Sequence, residues 1–68
     1  MEEIMSKELT AIETELNTIG DLMMSAEADF VKFSKGNKAA GTRIRVGMQK
    51  IKAAAQDIRV GILVVNSK

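Results

Sequence analysis

The chain has 68 residues, of which 28% are charged, with a formal net charge of +1 and with no cysteine, histidine or proline. A chain this short forms at most one small domain, so we predict a single domain over residues 1–68 that becomes stable by oligomerising. The missing thiols and imidazoles exclude disulfides, zinc fingers and Cys- or His-based nucleophiles, so we expect no enzymatic activity, no metal and no cofactor.

Apolar residues in the first half recur at alternating intervals of four and three residues. This spacing is typical of an α-helix with a coiled-coil seam, and it predicts helix 1 over about residues 3–33. Gly20 interrupts the pattern and should weaken the helix by about 1 kcal/mol relative to alanine. The predicted seam consists of Met5, Leu9, Ile12, Leu16, Ile19, Met23, Ala26, Phe30 and Phe33.

A turn is predicted over residues 34–37, where the apolar spacing is interrupted. Gly36 is suited to the left-handed conformation that ends a helix, and Asn37 is a favourable N-cap for the next one. Because the connection is short, we expect the two helices to run antiparallel.

The second half repeats the seven-residue pattern and predicts helix 2 over about residues 38–65. Its seam consists of Ile44, Met48, Ile51, Ala55, Ile58, Ile62 and Val65, and a stripe of small residues beside it consists of Ala40, Gly47, Ala54 and Gly61. The small residues allow another helix to approach closely. Because a two-helix hairpin leaves one side of its seam in water, we predict an all-α antiparallel hairpin that dimerises into a four-helix bundle.

The small net charge conceals a strong asymmetry between the two halves. Residues 1–31 contain eight acidic residues and one lysine, whereas residues 32–68 contain nine basic residues and one aspartate. The net charges are therefore −7 and +8. Such asymmetry is compatible with a polyanionic partner for the basic half, and equally with two halves that neutralise each other.

Four cations on helix 2 recur at every seventh position: Lys38, Arg45, Lys52 and Arg59. Seven residues make about two helical turns, so these side chains form one row, roughly 31 Å long at ~1.5 Å per residue. That length is close to one turn of duplex DNA, about 34 Å. The row therefore suits a phosphate backbone, although a solvated polar face would show the same pattern.

The start of helix 2 combines Lys35 and Lys38 with Asn37. A helix N-terminus presents free backbone N–H groups and partial positive charge, and lysine in the first turn is unfavourable unless an anion is present. An anion site and an ordinary capped turn are both compatible with these residues.

No targeting or membrane-spanning segment is expected. The N-terminus is acidic, unlike that of a secretory signal, and the apolar run over residues 62–65 is far shorter than the ~20 residues that cross a bilayer. A membrane-surface role for helix 2 is a weaker hypothesis, because the helix has no tryptophan.

The eleven residues from Lys35 to Arg45, KGNKAAGTRIR, resemble the small bacterial linker-histone-like proteins of the chlamydial type. The similarity extends from about Ala28 to Arg59. It implies a nucleoid-associated, DNA-compacting protein of the cytoplasm without catalytic activity. The positions carried over from the family are Lys35, Asn37, Lys38, Arg43 and Arg45.

Together the residues and the resemblance predict a homodimer or higher oligomer that binds double-stranded DNA along the phosphate backbone, without sequence preference. Lys50, Lys52 and Arg59 join the carried-over positions as candidate DNA contacts. The alternative is a coiled-coil assembly module whose acidic and basic helices pair with each other or with another protein, without a nucleic-acid role.

Overall fold

The computed structural model describes the backbone of residues 2–67 and the side chains of residues 6–67. It contains two helices, α1 (Glu2–Ser34) and α2 (Lys38–Asn66). They pack side by side along their whole length, in a hairpin that measures 52 × 14 × 12 Å. The predicted all-α helical hairpin is confirmed, and the helix ends lie within one residue of those expected from the sequence.

The turn reverses the chain through a compact set of backbone hydrogen bonds. Gly36 adopts a φ of +100°, and its N–H donates to the carbonyl of Phe33, while the N–H of Asn37 donates to the carbonyl of Lys32. This is the Schellman arrangement, which satisfies carbonyls at the end of α1. Asn37 then caps α2, because its Oδ1 accepts a hydrogen bond of 3.1 Å from the N–H of Ala40. Both expectations for these two residues are confirmed.

The contact between the helices uses only part of the predicted seam. On α1 the side chains turned towards α2 are the half-buried Glu8, Ile12, Glu15, Ile19, Leu22, Ala26 and Asp29. On α2 the buried positions are Ala40, Ala54 and Gly61 from the small-residue stripe. Met5 lies outside the residues whose side chains are described. The hairpin therefore closes on the small stripe of α2. Five isoleucines of the predicted seam are half-buried beside it, namely Ile12, Ile19, Ile44, Ile51 and Ile58.

Two glycines of α2 lie where a side chain would meet α1. A Cβ built at Gly61 would lie 3.0 Å from Cγ1 of Ile12, and one built at Gly41 would lie 2.7 Å from the ring of Phe33. The close approach predicted for Gly61 is confirmed. The same expectation for Gly47 is wrong, because a Cβ there would have no neighbour within 4 Å. At Gly47 the helices are separated enough to leave a groove on one side of the hairpin.

One column of the predicted α1 seam stays exposed. Leu9, Leu16, Met23 and Phe30 are 53%, 55%, 44% and 59% exposed. They were expected to line the contact, but each projects beside α2 rather than towards it. The apolar stripe of α1 is wider than a single neighbouring helix covers. Neither helix, over the described residues, has an apolar stretch able to cross a membrane.

Candidate nucleic-acid interface

The outward surface of α2 carries two columns of cations with small and polar residues between them. We call this the basic surface. One column is the row Lys38, Arg45, Lys52 and Arg59, and the other contains Arg43 and Lys50. The intervening positions are Ala39, Thr42, Val46, Gln49, Ala53 and Gln56, all exposed. Four of these side chains are short, and they leave a shallow surface between the two columns that a phosphate backbone can approach closely.

Arg43 differs from the other cations because it binds α1. Its Nε and Nη2 both donate to Oδ1 of Asp29, at 3.1 and 3.0 Å. The Arg43 side chain is 50% exposed and that of Asp29 is 16% exposed. The pair crosses from α2 to α1 and fixes their relative level near the turn. A DNA contact by Arg43, predicted from the sequence, would have to share the guanidinium with this carboxylate.

The other cations of the basic surface are not neutralised within the hairpin. Lys38, Arg45, Lys50 and Lys52 are exposed, and none has an ion-pair partner among residues 6–67. Arg59 donates from Nη1 to Oε1 of Gln56 at 3.4 Å, which is a long bond to a neutral group. The acids of α1 therefore leave the row of four charged and accessible in the single hairpin.

The two helices give the hairpin opposite electrostatic surfaces. Helix α2 contains six cations and one acid, Asp57, whereas most of the acids belong to α1. A polyanion can therefore approach closely only from the α2 side. The row extends over about 31 Å, a length close to one turn of a duplex.

The turn brings Lys35 and Lys38 to the N-terminal end of α2, whose first turn contains no acid. Oδ1 of Asn37 is already occupied by the capping bond to Ala40. The capping role explains this asparagine without an anion, and binding of phosphate by Lys35, Asn37 or Lys38 stays a prediction.

The Asp29–Arg43 pair was missed from the sequence, although a signal for it was present. The two residues lie seven positions before and seven positions after Gly36. In an antiparallel hairpin centred on that glycine, they must stand at the same level. Symmetry about the turn, combined with opposite charge, was sufficient to place them together.

Comparisons with known proteins identify the family. The family model described as histone H1-like protein Hc1 matches residues 13–68, which include most of α1 and all of α2. Searches of curated proteins and of solved structures each return no match. Because the family model covers well over half of the chain, the chain belongs to the histone H1-like Hc1 family.

Proposed function

With membership of a histone-like family as the premise, we propose that the chain binds double-stranded DNA along its phosphate backbone, without sequence preference, as an architectural protein of the nucleoid. The observation that carries this proposal is the exposed row of Lys38, Arg45, Lys52 and Arg59, which no acid of the described hairpin neutralises. Cations in such a row displace counterions from DNA, and this release supplies most of the affinity of non-specific binding.

Backbone contact accounts for the basic surface better than base readout does. Readout requires side chains such as Arg or Asn at the tip of an element that enters the major groove. Here the cations are distributed along the whole of α2, and one side of that helix is packed against α1. Phosphate contacts tolerate this arrangement, because they position a protein on the duplex and carry no sequence information directly.

The acidic α1 limits both the strength and the direction of binding. DNA that approaches from the α1 side meets net negative charge, so contact is confined to the basic surface. We therefore expect a modest affinity, in the non-specific range of ~10⁻⁴–10⁻⁶ M at physiological salt.

The test is a titration of duplex DNA at several salt concentrations. Each neutralised phosphate contributes about −0.9 to the slope of log K against log salt. The row of four, with Lys35 and Arg43 assisting, predicts a slope of roughly −4 to −5 for a hairpin whose row is free. Lys38→Gln and Lys52→Gln should each reduce the slope by about one unit and weaken all sequences equally. Lys7→Gln is the matched control, because it removes the same charge from α1.

Two outcomes would contradict the proposal. One is an affinity that does not change with salt, and the other is a large preference for one sequence. A third result would favour the assembly-module alternative, which the exposed Leu16 and Met23 also support. That result is a protein that never binds DNA and whose melting temperature falls sharply when the four row cations are replaced by Gln.

A further inference from the structure

One side of the hairpin is apolar from end to end. Its residues form two neighbouring columns at seven-residue spacing, one from each helix, and we call them the apolar flank. The α1 column is Leu9, Leu16, Met23 and Phe30, and the α2 column is Gly41, Met48, Ala55 and Ile62. Met48 and Ile62 are 40% and 44% exposed, and the α1 members are 44–59% exposed.

The two columns lie on the same side of the hairpin. Near the turn, Phe30 and Phe33 of α1 line one hollow together with Gly41 and Ile44 of α2. The opposite side contains a second groove, which is lined by Leu22 and the Asp29–Arg43 pair. The apolar flank is therefore one continuous surface with a hollow at the turn end.

The hairpin exposes more surface than a compact monomer of its mass, by an amount that allows one protein–protein interface. The accessible surface of the hairpin is 5358 Å². A compact monomer of the same mass exposes about 4,200 Å², so roughly 1,100 Å² is in excess. A stable protein–protein interface buries about 800 Å² per partner. The excess is sufficient for one such interface.

Charges of opposite sign border the apolar flank. On α2 the adjacent column is the cation row Lys38, Arg45, Lys52 and Arg59. On α1 the adjacent column lies four residues beyond each apolar position and consists of Glu13, Gly20, Glu27 and Ser34. One edge of the flank is therefore basic and the other is acidic or neutral, and the two apolar columns separate them.

We propose that the apolar flank binds a second copy of this chain, related by a twofold axis parallel to the helices, with both turns at the same end. This rotation places α1 of each copy on α2 of the other, so each acidic edge meets a basic edge. The other face-to-face twofold arrangement has its axis across the helices. It would place acid against acid and cation against cation, which is unfavourable.

The register within the hairpin decides which charges meet. Asp29 is level with Arg43, and Ile12 is level with Gly61. Rotation about an axis parallel to the helices leaves every residue at its own level. The partner's Glu27 therefore stands beside Arg45, and the partner's Glu13 stands beside Arg59.

The same register leaves the other two cations of the row without an acid. Lys38 stands beside the partner's Ser34, and Lys52 stands beside the partner's Gly20. The dimer thus divides the row into two arginines that bind the partner and two lysines that stay available. If the proposed function holds, the two lysines are the DNA contacts of the row in the dimer, and the salt slope per hairpin is about two units smaller than the value expected when all four cations are free. The dimer itself does not depend on DNA binding.

Charge reversal tests the pairing in the full chain without DNA. By sedimentation equilibrium at low salt, Glu27→Arg or Arg45→Glu should weaken self-association by about tenfold, because each reversal creates two like-charge contacts per dimer. The double variant should return to within about threefold of the wild type, since both pairs are restored. Asp21→Arg, on the outward side of α1, is the control and should have little effect. Failure of the double variant to recover would overturn the pairing, and a monomeric wild-type chain would overturn the dimer.

A distance measurement tests the direction of the twofold axis. The chain has no cysteine, so Lys35→Cys introduces one labelling site, at the turn. With both turns at one end, two spin labels are separated by about the width of a four-helix bundle, ~20 Å. With the turns at opposite ends, the separation approaches the 52 Å length of the hairpin. The longer distance would exclude the proposed axis, whatever the outcome of the DNA titration.

Discussion

The same seven-residue repeat has different consequences on the two sides of the hairpin. On the side opposite the apolar flank, Asp29 and Arg43 meet across the two helices and neutralise each other. On the apolar flank, two columns of hydrophobic residues stand between the acidic edge and the basic edge, so Glu27 and Arg45 do not meet within one chain. On one side the opposite charges are neutralised within the chain. On the other side the apolar and charged residues stay exposed, and that side is suited to binding a second molecule.

This difference explains how a chain of nearly zero net charge can still present charge to a partner. If ion pairs had formed between the helices on both sides of the hairpin, the acids of α1 would have neutralised the cations of α2. The apolar columns keep the opposite charges apart within each chain. The proposed self-association and the proposed DNA contact therefore depend on the same arrangement of residues.

The largest expected effect comes from placing a charge within the apolar flank. Leu16→Asp should abolish self-association and most of the helical content, because an unpaired carboxylate would be buried in the proposed dimer interface at a cost of several kcal/mol. Ser25→Asp, on the opposite side, is the matched control and should change stability by about 0.5 kcal/mol or less. Circular dichroism and sedimentation measure both effects. A Leu16→Asp chain that stays helical and associated would show that the two sides are equivalent.

The sequence was sufficient to predict the helices and the turn. The unbroken spacing of four and three residues, without proline, leaves little alternative to helix, and Gly36 and Asn37 mark the reversal locally. The pattern did not show which apolar column of α1 faces α2. Both Ile12 and Leu16 fit a seam, and the choice depends on the small residues of the other helix, which allow the backbones to approach closely at Gly61.

Part of the candidate interface could be predicted from the sequence, again because local spacing was sufficient. A row at seven-residue spacing requires only that α2 be a helix, so the row of four was predicted, and the structure leaves it exposed. The partner of Arg43 depends on the level of one helix against the other, which follows from the turn at Gly36, so the predicted turn already contained the signal for Asp29. In the proposed dimer the two arginines of the row have a different role from the lysines, and this difference depends on a second chain.

Alanine substitutions at two glycines of α2 should change the stability of the hairpin by intermediate amounts and in opposite directions. Gly61→Ala should destabilise the hairpin by about 1–2 kcal/mol, because the new Cβ would press against Ile12, and overpacking costs more than the gain in helix propensity. Gly47→Ala should stabilise it by about 0.5–1 kcal/mol, because the added methyl group meets open space. Denaturant melts of the two variants measure the difference. If both were stabilising, the closeness of the helices at Gly61 would not be needed for the fold.

The smallest effect separates two cations that share one column, Arg43 and Lys50. Arg43→Gln should lower stability by about 0.2–1 kcal/mol, because it removes the ion pair with Asp29, whereas Lys50→Gln removes no partner and should be neutral. The salt dependence of DNA binding should show the opposite order. Lys50→Gln should reduce the slope by about one unit, and Arg43→Gln by less, because that guanidinium is already bound to a carboxylate. Equal slopes for the two variants would mean that Asp29 releases Arg43 when DNA binds. The side of the hairpin opposite the apolar flank would then also contact DNA.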